Sequence, residues 1–291
     1  MTAAAPAPVI VSPDETRKKQ VRLLFRSPSF LTGLFLVGIW VVCAIFGSWL
    51  APYDPAGSAS DILSKNLPPS AAHWFGTDQL GRDVLSRTIA GARSILIIAP
   101  AATLLGTVLG TALGLITGYF RGLVDDVVSR IIDAFLSIPL VITGLIALTA
   151  LGPSTIGVIV VIGMVFTPVI ARTVRAAVLA ERELEYVAAA RLRREGGWHI
   201  MFVEILPNVM GPVLVEFTVR LGYAIFTTAT LSFLGFGVEP STPDWGLAIF
   251  QHYALLNAGI WWSVLFPALA IASLVVGVNL IADSVAAVFE Q

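Results

Sequence analysis

Six apolar runs, each long enough to cross a bilayer, constrain this chain more than any other feature. They cover about 31–50, 94–120, 127–151, 155–177, 208–233 and 260–289. A span needs roughly 20 apolar residues, and in hydrocarbon it must satisfy its own backbone hydrogen bonds, so each run is expected to be helical. The expected fold class is therefore an all-α integral membrane protein with six transmembrane helices. Charge content agrees: 13% of residues are charged, against about 25% in soluble domains. The net charge of −1 gives no reason to expect a nucleic-acid partner.

The expected organisation is a tail at 1–30, a first span at 31–50, an outer segment at 51–91 and a helical domain at 92–289. The tail is Ala/Pro-rich and then basic, through Arg17, Lys18, Lys19, Arg22 and Arg26. The apolar run behind it is of full spanning length, so it reads as an uncleaved first helix rather than a signal peptide. With the tail inside, thirteen Lys and Arg fall on inner segments. Only Lys65, Arg82, Arg87 and Arg93 fall outside. That asymmetry predicts both termini on the cytoplasmic side.

In the outer segment, APYDP is turn-forming, and Asp54 is suited to bonding local backbone. HWFGTDQLGRDVLSR reads as a short surface helix capped by Thr77 or Asp78, with Asp83 and Arg87 at pairing distance. It either gates the outer mouth or merely connects spans. Gly106, Gly110, Gly114 and Gly118 repeat every four residues on one helix face, which lets a neighbouring helix approach closely. Asp126, Arg130 and Asp133 have the spacing of a local ion-paired face. Pro139 and Pro168 are expected to kink their spans. Glu216 and Arg220 form a deep i,i+4 pair that either fixes helix packing or lines a path. SFLGFGVEPSTPDWG is expected to fold back as a re-entrant element, with Trp245, Trp261 and Trp262 at the outer interface.

Several chemistries are missing. A phosphate loop of the Walker type needs lysine after glycine, and Lys18, Lys19 and Lys65 never follow one. His73, His199 and His252 are scattered and fall on both sides of the membrane, so no three-histidine metal site is expected. Cys43 has no activating neighbour. Inverted repeats, usual in secondary transporters, are not evident. The chain is not expected to be an enzyme or to bind a cofactor itself.

The largest polar block after the first third is EYVAAARLRREGGWHIMFVEILPN, at 185–208. It reads either as a solvated loop or as a helical hairpin fixed between two spans, able to act as a lever. Its pattern resembles the coupling loop of ABC importer permeases, E-A-A-x-x-x-G closed by I-x-L-P. Here that loop spans about 178–207. It carries Glu185, Tyr186, Ala188, Ala189, Ala190, Arg191, Arg193, Arg194, Gly196 and Gly197, then Leu206 and Pro207. Two positions depart from the family: Ala188 stands where it has Glu, and Arg194 where it has Gly.

APYDP, HWFGTDQLGRDVLSR, GYFRGLVDD, LSFLGFGVEPSTPDWG and the late Asn279 and Asp283 extend the resemblance along nearly the whole chain. It is to the second permease subunit of dipeptide/oligopeptide importers, and nickel importer permeases look similar. The resemblance implies a type I importer permease in a bacterial cytoplasmic membrane, moving peptides by alternating access. It implies a second homologous permease, two ABC ATPase subunits holding ATP and Mg, and an extracytoplasmic substrate-binding protein. Nickel as cargo, an ion-driven transporter using Asp133, Glu216 and Arg220, and a structural subunit are the competing readings.

Overall fold

The computed structural model of the chain describes residues 24–56, 62–152, 154–237 and 241–289. The basic tail up to residue 23 and residues 238–240 of the Gly/Pro-rich loop lie outside these. Among the described residues the chain is almost wholly helical, with one isolated antiparallel bridge between Thr77 and Asp83.

Helix α1, Pro28–Leu50, starts with proline in its first turn behind Ser27, whose hydroxyl accepts the Phe30 N–H. Helix α2, Val84–Phe120, runs 37 residues. Of the stretch expected to form a separate surface helix, only residues 84–87 are helical, as the first turn of α2; residues 73–83 are turns that lead into it. Its cap is Asp83, which accepts from the Ser86 N–H at 2.8 Å. Turned back on that first turn, Asp83 meets His73 Nδ1 at 2.9 Å, while Arg87 donates to the Pro55 carbonyl at 2.8 Å. Thr77 and Asp78 belong to the preceding turn: Thr77 donates to the Ser64 carbonyl, and Asp78 binds Arg82 Nε at 2.7 Å. Asp54 accepts from the Ala56 N–H at 3.0 Å, the local turn its sequence implied.

The third apolar run is broken. Helices α3, Leu123–Leu136, and α4, Leu140–Leu151, meet at 89°. Pro139 supplies no N–H and disfavours a helical Ile138 before it. Few neighbours oppose the break, since only Asp125, Ile132, Gly144 and Leu148 of this pair are buried. Helix α5, Thr155–Glu181, is capped by Ser154 and runs unbroken through Pro168, which is buried. The expected local pairing of Arg130 with its helix neighbours gives way to pairing between helices. Asp125 takes Arg175 Nε and Nη2 at 2.6 Å each, and Asp133 bonds Arg172.

The glycine stripe finds α5. A Cβ on Gly106 would meet Gly163 O, on Gly110 Ile170, on Gly114 Val174, and on Gly118 Val178. Both series rise together, so α2 and α5 run parallel, and the bent α3–α4 pair must carry the chain back across. Fully buried Ile162, Phe166, Ile170 and Val174 of α5 form the centre of the core.

Helix α6, Glu185–Leu192, is short. Helix α7, Gly197–Phe233, includes a wider π turn at Ile200–Ile205. Helix α8, Trp245–His252, is capped by Asp244, which accepts from the Leu247 N–H at 2.8 Å. A 3₁₀ turn, Tyr253–Ala258, leads to α9, Trp262–Phe289. Helix α9 lies antiparallel to α1: Trp40 Nε1 donates to Ser273 Oγ at 2.9 Å, and Gly33 faces Gly277.

Two tryptophans expected at the interface are instead buried pins. Trp245 is 1% exposed and donates to the Thr88 carbonyl at 2.7 Å; Trp262 is 7% exposed and donates to the Thr77 carbonyl at 3.0 Å. Each buried indole N–H needs an acceptor, and the loop before α2 and its first turn supply both. Trp49, Trp74 and Trp261 remain exposed.

Candidate functional site

The polar block forms a braced hairpin at the end of the bundle where α2 and α5 finish and α7 begins. Arg182 ends α5 and reaches the last turn of α2, donating to the Tyr119 carbonyl at 2.6 Å and the Gly118 carbonyl at 3.3 Å. Unpaired carbonyls at a helix C-terminus favour such a cation. Burial pulls the Arg182 guanidinium below its ordinary value, and the nearby Arg121 and Arg191 add to this. By sequence Arg182 is only one basic residue among several; its place a few residues after a span is the available signal.

Helix α6 then turns back. Val187 and Ala190 are fully buried beneath it. Tyr186 donates to Glu181 Oε1 at 2.8 Å and accepts from Asn208 Nδ2 at 3.1 Å, joining α5, α6 and α7. Burial first, and then the Glu181 bond, push the Tyr186 hydroxyl up to about 12.

The turn after α6 is a Schellman motif. The Arg194 N–H bonds the Arg191 carbonyl at 3.0 Å, and the Glu195 N–H bonds the Ala190 carbonyl at 3.2 Å. This motif places one residue in the left-handed region, and that residue is Arg194, at φ 59°. Glycine is the usual occupant, having no Cβ to strain. Gly196 and Gly197 do not take over this role, since neither has positive φ. Gly197 instead lies against Tyr119, which a Cβ would meet at 3.1 Å.

Arg193 fastens the far side, reaching Glu195 Oε1 at 2.7 Å and Glu204 Oε1 at 3.3 Å. Arg193 is the main cause holding the Glu195 carboxyl below its ordinary range. Glu195, His199 and Glu204 bring possible ligand atoms within 4.8 Å of one another, but Arg193 already bridges the two carboxylates.

Pro207 explains the π turn. It has no N–H to return to Val203, and its ring would crowd that carbonyl. Widening the preceding turn relieves the conflict: the Leu206 N–H bonds Met201, five residues back, and Asn208 Nδ2 takes the Glu204 carbonyl at 2.8 Å.

Glu185, Ala188, Ala189, Arg191, Leu192, Arg193, Arg194 and Gly196 remain exposed; Leu206 is half-buried and Pro207 exposed. Leu192, 85% exposed, is the most exposed large apolar residue of the hairpin, and its local spacing does not mark it. Arg191 sits over the Tyr119 ring at 5.7 Å, and Trp198 stacks on Phe202 at 6.0 Å.

Glu216 and Arg220 are paired on α7, at 2.9 Å between Oε2 and Nε. Thr173 of α5 adds a hydrogen bond to Glu216 Oε1 at 2.8 Å, a partner local spacing could not reveal. Arg220 lies 5.4 Å from the centre of the Tyr223 ring, and Tyr223 is 56% exposed.

Residues 110–291 match the family described as binding-protein-dependent transport system inner membrane component. Residues 17–69 match the N-terminal TM domain of oligopeptide transport permease C. The dipeptide transport system permease protein DppC of Escherichia coli K12 is 40% identical over 264 residues, 89% of this chain and 87% of that protein. The di/tripeptide transport system permease protein DppC of Pseudomonas aeruginosa is 36% identical over 259 residues, covering 87% and 84%. A probable D,D-dipeptide transport system permease protein of E. coli is 35% identical over 269 residues, covering 92% and 89%.

Proposed function

Because this chain belongs to the family of binding-protein-dependent transport system inner membrane components, we infer that it is the permease subunit of an ABC importer for di- or oligopeptides. ATP is hydrolysed on separate ABC subunits, and the chain itself holds no cofactor. A second homologous permease completes the pathway, and an extracytoplasmic binding protein delivers the peptide. The Lys and Arg asymmetry argues for both termini and the α6 hairpin in the cytoplasm of a bacterial cell.

The observation that carries this reading is the hairpin: a helix braced from three sides that still offers Ala188, Ala189 and Leu192 to a partner. Bracing matters because a lever must not bend. Tyr186 and Arg193 tie α6 to the end of α5 and the start of α7, and Arg182 ties the end of α5 to α2, so displacement of α6 is passed to the spans. The ATPases bind this surface differently in their open and closed states. That difference in affinity shifts the permease between its inward-open and outward-open forms.

Peptide is favoured over nickel by the similarity to dipeptide permeases. It is favoured over ion-driven transport by charge pairing, since Asp133 already holds Arg172 and Glu216 already holds Arg220. The Glu216–Arg220 face of α7 does not suit lipid, because an intramembrane ion pair is costly against hydrocarbon. We propose that it faces the second permease across the path.

The test uses the reconstituted complex. Ala189→Asp and Leu192→Asp alter only exposed positions and leave Val187 and Ala190 in place. They are expected to abolish peptide-stimulated ATP hydrolysis and uptake while the complex stays folded. Full uptake in both variants refutes the docking role.

A further inference from the structure

At the end of the bundle opposite α6, the loop before α2, helix α8 and the start of α9 border a small cavity into which several polar side chains are packed. Its walls include Asp78, Arg87, Asp244, His252 and Ser263. Their exposures are 1%, 7%, 4%, 2% and 2%, so none relies on bulk water. The space is about 10 Å³, which is what the centre of one water occupies.

The donors and acceptors around it do not close without a guest. His252 Nδ1 lies 2.6 Å from the Ala248 carbonyl. A carbonyl only accepts, so Nδ1 carries the hydrogen, and Nε2 of the neutral ring is a bare acceptor. Nε2 faces Asp78 Oδ2 at 3.9 Å. That oxygen is also an acceptor, engaged on its other side by Arg82 Nε. Two lone pairs face each other across a gap too long for a hydrogen bond. Neither His252 Nε2 nor Ser263 Oγ has a partner.

We propose that this cavity binds a single water, donating to His252 Nε2 and Asp78 Oδ2 and accepting from the Ser263 hydroxyl. Placed about 2.8 Å from both acceptors, such a water subtends about 90°, close to its own bond angle. The water ties three segments together: the loop through Asp78, α8 through His252, and α9 through Ser263.

The charges nearby allow His252 to stay neutral. Asp78 and Arg82 face it from the loop, Arg87 from α2, and Asp244 from the cap of α8. Helix α9 contributes only Ser263 and Pro267. Two carboxylates are balanced by two guanidinium groups, so no excess negative charge calls for an imidazolium. Burial also holds the His252 ring below its ordinary value.

A structure of the purified complex at neutral pH, at a resolution that shows ordered water, tests the site directly. Expected is a peak within about 2.7–3.2 Å of all three atoms. An empty cavity, or His252 Nε2 in direct contact with Asp78, overturns the proposal. Ser263→Ala removes the donor with little change in packing and is expected to lower the thermal midpoint of the complex by about 2–4 °C. An unchanged midpoint means that Ser263 does not hold the water, and also overturns the proposal as stated.

Discussion

Replacing Gly114 with alanine probes the contact on which the hairpin's transmission depends. A Cβ there would lie 2.7 Å from Val174 Cβ, 2.8 Å from the Ala171 carbonyl oxygen and 2.9 Å from the Arg175 nitrogen. Carbon atoms rest about 3.5–4.0 Å apart, so α2 and α5 must separate locally by about 1 Å. Two of the three atoms are backbone, so no change of rotamer relieves the overlap. Overpacking of this kind costs about 1–3 kcal/mol, and alanine's better helix propensity returns at most about 1 kcal/mol. Subtracting the full return leaves a net loss of up to about 2 kcal/mol. At about 2–4 °C per kcal/mol, the midpoint falls by up to about 8 °C. Gly38 on α1 is the control, because a Cβ there meets nothing within 4 Å; Gly38→Ala is expected to hold or raise the midpoint. The assay is the surviving complex after heating, read by size-exclusion fluorescence in detergent. If Gly114→Ala raised the midpoint as Gly38→Ala does, the parallel α2–α5 contact would be wrong.

Three further outcomes are expected. Arg194→Gly relieves a left-handed backbone and stabilises the turn after α6 by up to about 1 kcal/mol, visible as slower amide exchange over Glu185–Leu192, whereas Arg194→Val speeds that exchange. Leu192→Cys on a Cys43→Ala background reacts with a membrane-impermeant maleimide only from the cytoplasmic side; labelling from outside sinks the orientation. For His252, the folded ring sits below its ordinary 6.5, so the unfolded chain binds the proton first and stability is lost as pH falls through and below about 6.5. The buried Asp244 carboxyl, raised by burial, acts in the opposite sense. Comparison with His252→Gln isolates the histidine, and an identical pH profile in the two proteins removes its contribution.

What could be read from the sequence was local or periodic. Apolar runs of spanning length fix helices wherever they occur, because hydrocarbon offers the backbone no other partner. The four-residue glycine stripe announced a close neighbour, and the Glu216–Arg220 spacing announced a pair, since helix geometry alone brings i and i+4 together. A helical hairpin within 185–208 was likewise written in the chain, but not its bounds: α6 stops at Leu192, and α7 runs through Pro207 from Gly197 instead of starting after the proline.

Which neighbour answered each signal was decided only in three dimensions. The stripe gives no hint that α5 fills it, running parallel, with Val174 and Ile170 as the contacts. Asp133 pairs with Arg172 rather than Arg130, and Asp83 with Ser86 and His73 rather than Arg87. Pro139 breaks its span and Pro168 does not: the α3–α4 pair has little packed against it, whereas α5 is held along α2 from Gly106 to Gly118. Trp245 and Trp262, which suit a membrane interface by composition, were drawn inside by the carbonyls of Thr88 and Thr77. In each case the spacing limits what a residue can reach along its own helix. The choice among more distant partners follows from packing and hydrogen-bond energies that exist only once the helices have met.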